Sequence, residues 1–558
     1  MTIPSAEDHH PWYVTTSLPY VNGRPHLGHA LEFILTDALA RYHRLTGDQV
    51  WFLTGTDENS LKNVRAAERE GIPTQALVDR NAAYFRGLRE LLNLSYDDFI
   101  RTSNDPRHLD GVRKLWDACA QRGDIYKRAY RGLYCVGCEQ FYSEAELSAG
   151  CCPVHLTRPE VVEEENYFFR LSHYADRLRD LIVSDQVHIV PLARKNEALS
   201  FIRRGLEDFS ISRSRARARD WGVPVPGDAQ QVMYVWFDAL GNYITALDYA
   251  GNGSLYQRFW MQNPHRTHVI GKDIQRFHTI YWPALLLSAG VPLPTSIFVH
   301  GFITLEGGKM SKSVGNILDP GALVERYGTD ALRYYLLREI RATEDGDFSL
   351  ERFIRTYNGD LADQLGNLLN RVVTMVSRYA GGVVPAPGAR EEIDQRLVNA
   401  AEGLRERVER AMSQFVPHEA LGAIWELVSA TNKYVAEVEP WTLAKQRKAG
   451  PERVASAERL ATILYNLTEA LRLLAHYCIP FLPTTAEILA RQLGVTLETS
   501  GDWTQVSRWG GYLAGTAVQP GGVLFPKLEL LGESQPEEGG AGFQVPKITS
   551  QGMVDFRR

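Results

Sequence analysis

Residues 11–54 read PWYVTTSLPYVNGRPHLGHALEFILTDALARYHRLTGDQVWFLT, and this stretch decides the fold. Trp12 to Thr15 is a short run of β-formers suited to a buried strand. Pro19, Asn22, Gly23 and Pro25 then mark a loop. From Leu27 to about Leu45 the apolar positions Leu31, Ile34, Leu35, Ala38, Leu39 and Tyr42 recur at helical spacing, and Gly47 is a C-terminal stop. Val50 to Thr54 is a second strand. Strand, crossover helix and strand form a right-handed parallel unit, and such sheets bind ligands beyond the carboxyl ends of their strands.

His26-Leu27-Gly28-His29 therefore falls where the loop enters the helix. Free N–H groups and the positive end of the helix dipole favour anions there, and imidazoles add donors suited to triphosphate oxygens. Gly28 would let a nucleotide approach the backbone. Almost 300 positions later, Lys309-Met310-Ser311-Lys312-Ser313 follows Gly307 and Gly308 on a glycine-rich loop. Lys309 and Lys312 are mobile point charges that could close over a triphosphate and neutralise a departing pyrophosphate. Either motif alone is weak, because two histidines at a helix start or a basic surface loop are ordinary. The ordered pair points to an enzyme that activates a substrate with ATP.

Composition sets the outer limits. The chain has 558 residues, enough for several domains, with 44% hydrophobic and 23% charged residues. A net charge of −6 gives no global pull toward nucleic acid, so RNA contacts must be local. No apolar run is long enough to span a bilayer, and the polar start MTIPSAEDHH resembles neither a secretory signal nor a transit peptide. A cytoplasmic location without membrane contact is expected.

Of the six cysteines, Cys135, Cys138, Cys151 and Cys152 cluster, whereas Cys119 and Cys478 stand in apolar helical surroundings as buried thiols. Cys135-x-x-Cys138 and Cys152-x-x-His155 have the spacing of a closed tetrahedral zinc knuckle, which would be structural. Taking Cys151 in place of Cys152 gives a less regular C-x-x-x-H. The basic run between Ser210 and Arg219 could be a solvated face or a contact for a polyanion. Tyr234 to Phe237 reads as a strand leading into a helix, and Val269–Ile270 as a strand ending at Gly271. From Glu391 to Leu493 the apolar spacing is that of a helical bundle.

HLGH with a distant KMSKS is the signature of class I aminoacyl-tRNA synthetases. SLPYVNGRPHLGH, FLTGTDE, ISR with WGVPVP, YVWFDALGNY, GKDIQRFH, FVHGFITLEGGKMSKS and AEVEPWTLAK resemble, in order, the blocks of the methionyl-tRNA synthetases over roughly residues 12 to 527. The resemblance implies an α/β fold: a Rossmann-like class I catalytic domain with a zinc-knuckle insertion, followed by an α-helical anticodon-binding bundle. The expected divisions are 1–118 and 231–319 for the catalytic halves, 119–230 for the insertion, 320–384 for a stem-contact region, 385–530 for the bundle and 531–558 for a flexible tail. The first contact helix of the bundle would begin near 360. About 110 residues separate the catalytic halves, too few for a separate editing domain.

The same resemblance implies the site. ATP, with Mg2+, would meet His26, Gly28, His29, Gly271, Lys309, Ser311 and Lys312. Methionine would be enclosed by Leu18, Tyr20, Trp236, Ala239, Tyr243 and His278, its ammonium paired with Asp57. Asn367, Arg371, Pro440 and Trp441 would contact the CAU anticodon of tRNA(Met). The expected activity is methionine–tRNA ligation through methionyl-adenylate. The alternatives are a paralogue that adenylates without charging tRNA and an inactive tRNA-binding protein. Some relatives append a dimerising domain that this chain stops before, so a monomer is expected. One departure stands out: the family usually has Asp-Glu-His-Gly where this chain has Asp57-Glu58-Asn59-Ser60.

Overall fold

The structure is a computed structural model that describes residues 10–153, 156–305, 308–309, 318–446 and 453–529. His155, Ser311, Lys312 and the tail from 530 lie outside the described residues. Its centre is a six-stranded sheet of β1 (Pro11–Thr16), β2 (Gln49–Thr56), β3 (Asp98–Arg101), β4 (His188–Val190), β5 (His265–Gly271) and β6 (Ser296–His300). All pairings are parallel, in the order β3-β2-β1-β5-β6-β4. Helix α1 (Leu27–Leu45) crosses from β1 to β2. Its apolar positions are buried on the sheet, His26 is its N-cap, and Gly47, just past its last turn, takes φ +101°. The strand order reverses between β1 and β5, and in such sheets the crevice beyond the carboxyl ends at this point is where ligands bind.

The segment 119–230 is not one insertion. Its first part supplies Ile125–Cys135, Gln140–Tyr142 and Glu160–Phe169 to a four-stranded antiparallel sheet that carries the cysteine cluster and whose fourth strand is Phe209–Ser210. It then returns to the main sheet as edge strand β4 before leaving again. A three-residue strand carries too little pattern to be read from sequence. The run Tyr234–Phe237 is also not a strand. The strand there is Asp228–Met233, and Val235–Leu240 is a short helix. All six residues of that helix are buried, so no amphipathic period marks it. Arg213 and Arg217, from the basic run, form no solvated face. Their guanidinium groups lie over the Tyr134 ring at 4.2 and 4.6 Å from its centroid.

Beyond the catalytic sheet, π-helical turns at Tyr357–Gly366 run directly into the helix Asn367–Ala380. The bundle consists of Glu392–Glu402, Leu404–Ser413, Pro417–Val438, Pro440–Gln446, Arg453–Cys478 and Pro483–Leu493. A continuous apolar core joins α1, the helix Thr329–Arg338 and this bundle. Among the described residues no helix is long and apolar enough to cross a membrane.

Candidate functional site at the switch of strand order

The loop after β1 forms one wall of the crevice. Tyr20 and Asp57 meet as an isolated parallel bridge, and the Asp57 N–H donates to Pro19 O at 3.0 Å. Asp57 is only 2% exposed, and its Oδ1 has no hydrogen-bond partner. Burial, then the nearby charges of Asp238 and Glu139, push its carboxyl well above the ordinary range. A buried, unsatisfied carboxylate oxygen is costly unless a cation meets it.

An aromatic enclosure stands beside it. Trp236 lies flat on Phe277 at 3.8 Å and 5°, and edge-on to Tyr20 and to His278. Tyr243 Oη meets His278 Nε2 at 2.7 Å, while His278 Nδ1 lies 3.0 Å from the carbonyl of Ile274. The carbonyl can only accept, so Nδ1 carries the proton and Nε2 accepts from the tyrosine. Burial lowers the His278 pKa to about 4, so the ring is neutral near pH 7. Ala239 is buried on the Trp236 helix, and Leu18 packs against the same core. The structure thus brings Leu18, Tyr20, Asp57, Trp236, Ala239, Tyr243 and His278 to one region, an aromatic lining beside the Asp57 carboxylate, with Lys62 over the Tyr20 ring.

His26 and His29 lie at the α1 entrance. The Gly28 N–H donates to His26 Nδ1 and the His26 N–H to His29 Nδ1, each at 3.1 Å. Both Nδ1 atoms are therefore acceptors, and in the neutral rings the proton sits on Nε2. The rings stack at 3.7 Å. A Cβ at Gly28 would stand 3.0 Å from His26 Cε1, a tight contact that the folded-back ring would have to shift to relieve. Gly271 ends β5, across the switch from β1. Lys309 is described by its backbone, which pairs with Thr304 in a hairpin.

The sequence reading missed a second buried network. Glu32 on α1 accepts from Ser17 N–H and Oγ at 2.7 and 2.6 Å, and faces His300 Nε2 at 2.9 Å. His300 Nδ1 faces the Gly301 carbonyl at 2.8 Å, so both ring nitrogens have acceptors. Burial works to lower its pKa, but the hydrogen bond and charge of Glu32 prevail and hold it above the ordinary value. The signal was present: Glu32 interrupts the apolar run around Leu31, Phe33 and Ile34.

The Sγ atoms of Cys135, Cys138 and Cys152 lie within 4.8 Å of one another, close enough to hold a metal ion. Among the described residues Cys151 does not join this group, and its backbone pairs with Ser148. A hydrogen bond with Cys135, and then burial, push the Cys138 thiol up. In the bundle, Asn367 and Arg371 lie one turn apart on one helix, Pro440 is buried, and Trp441 is 37% exposed.

The family of class I tRNA synthetases described by the specificity letter M matches residues 12–157 and 146–373, and the anticodon-binding domain of methionyl-tRNA ligase matches 384–538. The methionine–tRNA ligase of Clostridium tetani is 44% identical over 94% of this chain and 80% of its own. The chain belongs to the methionyl-tRNA synthetase family. The Brucella suis methionine–tRNA ligase is 47% identical over 87% of the chain and 92% of its own length. The Mycobacterium tuberculosis methionyl-tRNA synthetase in complex with methionyl-adenylate superposes with a TM-score of 0.87 at 43% identity. That match covers 93% of this chain and 100% of the solved one. Membership of the methionyl-tRNA synthetases gives the chain the activity of an aminoacyl-tRNA ligase specific for methionine, in preference to a non-charging paralogue or an inactive binder.

Proposed function

We propose that the crevice beyond β1 and β5 activates methionine with ATP and that the bundle presents tRNA(Met) to it. The observation that carries this reading is the buried Asp57 carboxylate with an unpartnered oxygen beside the Tyr20–Trp236–His278 enclosure. The ammonium of methionine pairs with Asp57. The thioether lies among aromatic rings, where sulfur–ring contacts contribute about 0.3–1.5 kcal/mol each. Because Tyr243 donates its proton to a neutral His278, neither ring carries charge, and the pocket rejects charged side chains by desolvation.

ATP lies along the α1 entrance. The Nε2–H groups of His26 and His29 donate to phosphate oxygens, and Lys309 and Lys312 neutralise the charge that grows on the departing pyrophosphate. A carboxylate oxygen of methionine attacks the α-phosphorus, the bond to pyrophosphate breaks, and methionyl-adenylate forms. The ribose hydroxyl of the terminal tRNA adenosine then attacks the carbonyl and AMP leaves. Mg2+ accompanies ATP. Gly271, Ser311 and Gly28 line the nucleotide path in this reading. Asn367, Arg371, Pro440 and Trp441 receive the CAU anticodon, with Trp441 as a stacking plate for an unstacked base. Cys135, Cys138, Cys152 and His155 would hold one zinc ion, which when bound closes the knuckle structurally.

Replacing Asp57 by Asn tests the pocket. Methionine KM in ATP–pyrophosphate exchange should rise by about a hundredfold or more, as expected for truncating a buried charged pair worth about 3–5 kcal/mol. ATP KM should stay close to wild type. An unchanged methionine KM would remove Asp57 from the site.

A further inference from the structure

Asp57 is not the only buried carboxylate at the pocket. Asp238 lies on the helix Val235–Leu240, between Trp236 and Ala239, and its charge reaches Asp57. Asp57 and Asp238 could compete for one ammonium, yet the structure treats them differently. Both oxygens of Asp238 are engaged. Its Oδ2 accepts from Asn59 Nδ2 at 2.8 Å and its Oδ1 faces His108 Nε2 at 2.9 Å. His108 Nδ1 continues the chain to Thr245 Oγ1 at 2.9 Å. Asp238, His108 and Thr245 are fully buried. Asn59 Nδ2 also donates to Thr102 O at 3.1 Å. Both partners of that nitrogen are acceptors, which fixes the amide orientation. Asp57 Oδ1 is left as the unsatisfied oxygen.

Asn59 follows Asp57 by two positions but is 179 positions from Asp238. Its bond therefore ties the loop after β2, which presents Asp57, to the helix that presents Trp236. Ser60 completes the local frame as N-cap of the helix Leu61–Glu70, accepting from Asn63 N–H at 3.3 Å. We propose that Asn59 is a positioning residue for methionine: by occupying Asp238 it reserves the ammonium for Asp57, and by joining the two elements it fixes the distance between ammonium and side-chain recognition. This rests on the pocket assignment of the preceding subsection.

Asn59→Asp is the sharpest probe, because it keeps the shape and reverses the chemistry. It would place two carboxylates in contact where an amide and a carboxylate now meet, and one of them must hold a proton. The titratable and charged groups around the pair are Asp57 and Glu58 on the same loop, Lys62 on the next helix, His108 on the helix Pro106–Gln121, and Glu139, Arg213 and Arg217 from the insertion. The last three line a cavity of about 20 Å³ together with Asn59, room for about one water molecule.

The experiment is ATP–pyrophosphate exchange with varied methionine, from pH 6 to pH 8.5, for wild type, Asn59→Ala, Asn59→Asp and Asp57→Asn, with each variant's folding checked by circular dichroism. Asn59→Ala should raise methionine KM about tenfold or more, as for loss of a charge-assisted hydrogen bond, and leave ATP KM within about twofold. For Asn59→Asp the ratio of its methionine KM to wild type should narrow by about tenfold as pH falls from 8.5 to 6, because protonation restores a donor. A methionine KM within about twofold of wild type in Asn59→Ala overturns the inference. So does an equal rise in ATP KM, or a pH-independent ratio in Asn59→Asp. If Asp57→Asn leaves methionine KM unchanged, the pocket assignment itself fails. If Asp57→Asn raises it while Asn59→Ala does not, only the role of Asn59 fails.

Discussion

Arg333→Met should loosen the junction of the catalytic sheet and the bundle. Arg333 is completely buried and pairs with Asp37 of α1 at 2.8 Å. It also donates to the carbonyls of Phe481, Leu92 and Pro480 at 2.8, 3.0 and 3.1 Å. One guanidinium thus joins α1, the segment before β3, the helix Thr329–Arg338 and the turn after the longest bundle helix. Methionine has similar bulk and no donor. Breaking a buried ion pair costs about 3–5 kcal/mol. Asp37 keeps Arg41 at 2.8 Å and the Ser95 N–H at 2.6 Å, so the lower end applies. With about 2.1 cal/mol/K of unfolding entropy per residue over roughly 500 described residues, roughly 3 kcal/mol lowers the Tm by about 3 °C. Differential scanning calorimetry reads this directly. Because α1 carries His26 and His29 while the bundle carries Trp441, tRNA charging should fall more than ATP–pyrophosphate exchange. A Tm within about 1 °C of wild type, with both activities equally preserved, would refute the idea that Arg333 couples the two domains. The pH dependence has a defined sign. Burial works to raise the Asp37 pKa, but Arg41, Arg333 and Ser95 together hold it below the ordinary value. Its contribution to stability is therefore present above the unfolded pKa of about 3.9 and lost as pH falls through the lower folded value.

Three further outcomes follow from the site. Asp57 must be ionised to meet an ammonium, and burial holds its pKa high, so kcat/KM for methionine should fall on acidification with a midpoint above the ordinary carboxylate range. The limb for kcat should lie at lower pH, because bound ammonium favours the carboxylate; identical limbs, or the same limb in Asp57→Asn, would contradict this. Elemental analysis should find one zinc per chain in wild type and in Cys151→Ser, and a loss in Cys152→Ser; the reverse pattern would reassign the ligands. Trp441→Ala should weaken charging through lost base stacking, about 1–3 kcal/mol, while exchange is kept, and Lys312→Ala should cut exchange severely while leaving tRNA affinity nearly intact. Loss of exchange in folded Trp441→Ala would make Trp441 a strut of the bundle.

The parts legible in the sequence were those set by short-range patterns. The strand–helix–strand start was readable because Leu31 to Tyr42 repeat at helical spacing between β-rich runs, and His26 could be placed at the helix entrance from that alone. The cysteine cluster was readable because the chelate turn of Cys135-x-x-Cys138 needs only local geometry. The illegible parts came from long-range burial. Trp236 sits on a helix enclosed on every side, so β-forming aromatics gave the wrong sign for Tyr234–Phe237. The pairs Asn59–Asp238, Glu32–His300 and Arg333–Asp37 join residues far apart in sequence, and nothing local announces the partner. The consequence of the Asn59-Ser60 departure was not legible in the sequence. In the structure Asn59 supplies the donor that Asp238 needs, and Ser60 supplies a helix cap.

ATP–pyrophosphate exchange, run with each of the twenty amino acids on the wild-type protein, tests the central claim most directly. The pocket of Asp57, Tyr20, Trp236, Tyr243 and His278 predicts strong exchange with methionine and at least about a hundredfold lower kcat/KM with leucine, isoleucine or valine. Equal exchange with leucine or valine, or none with methionine while the fold is intact, would contradict it.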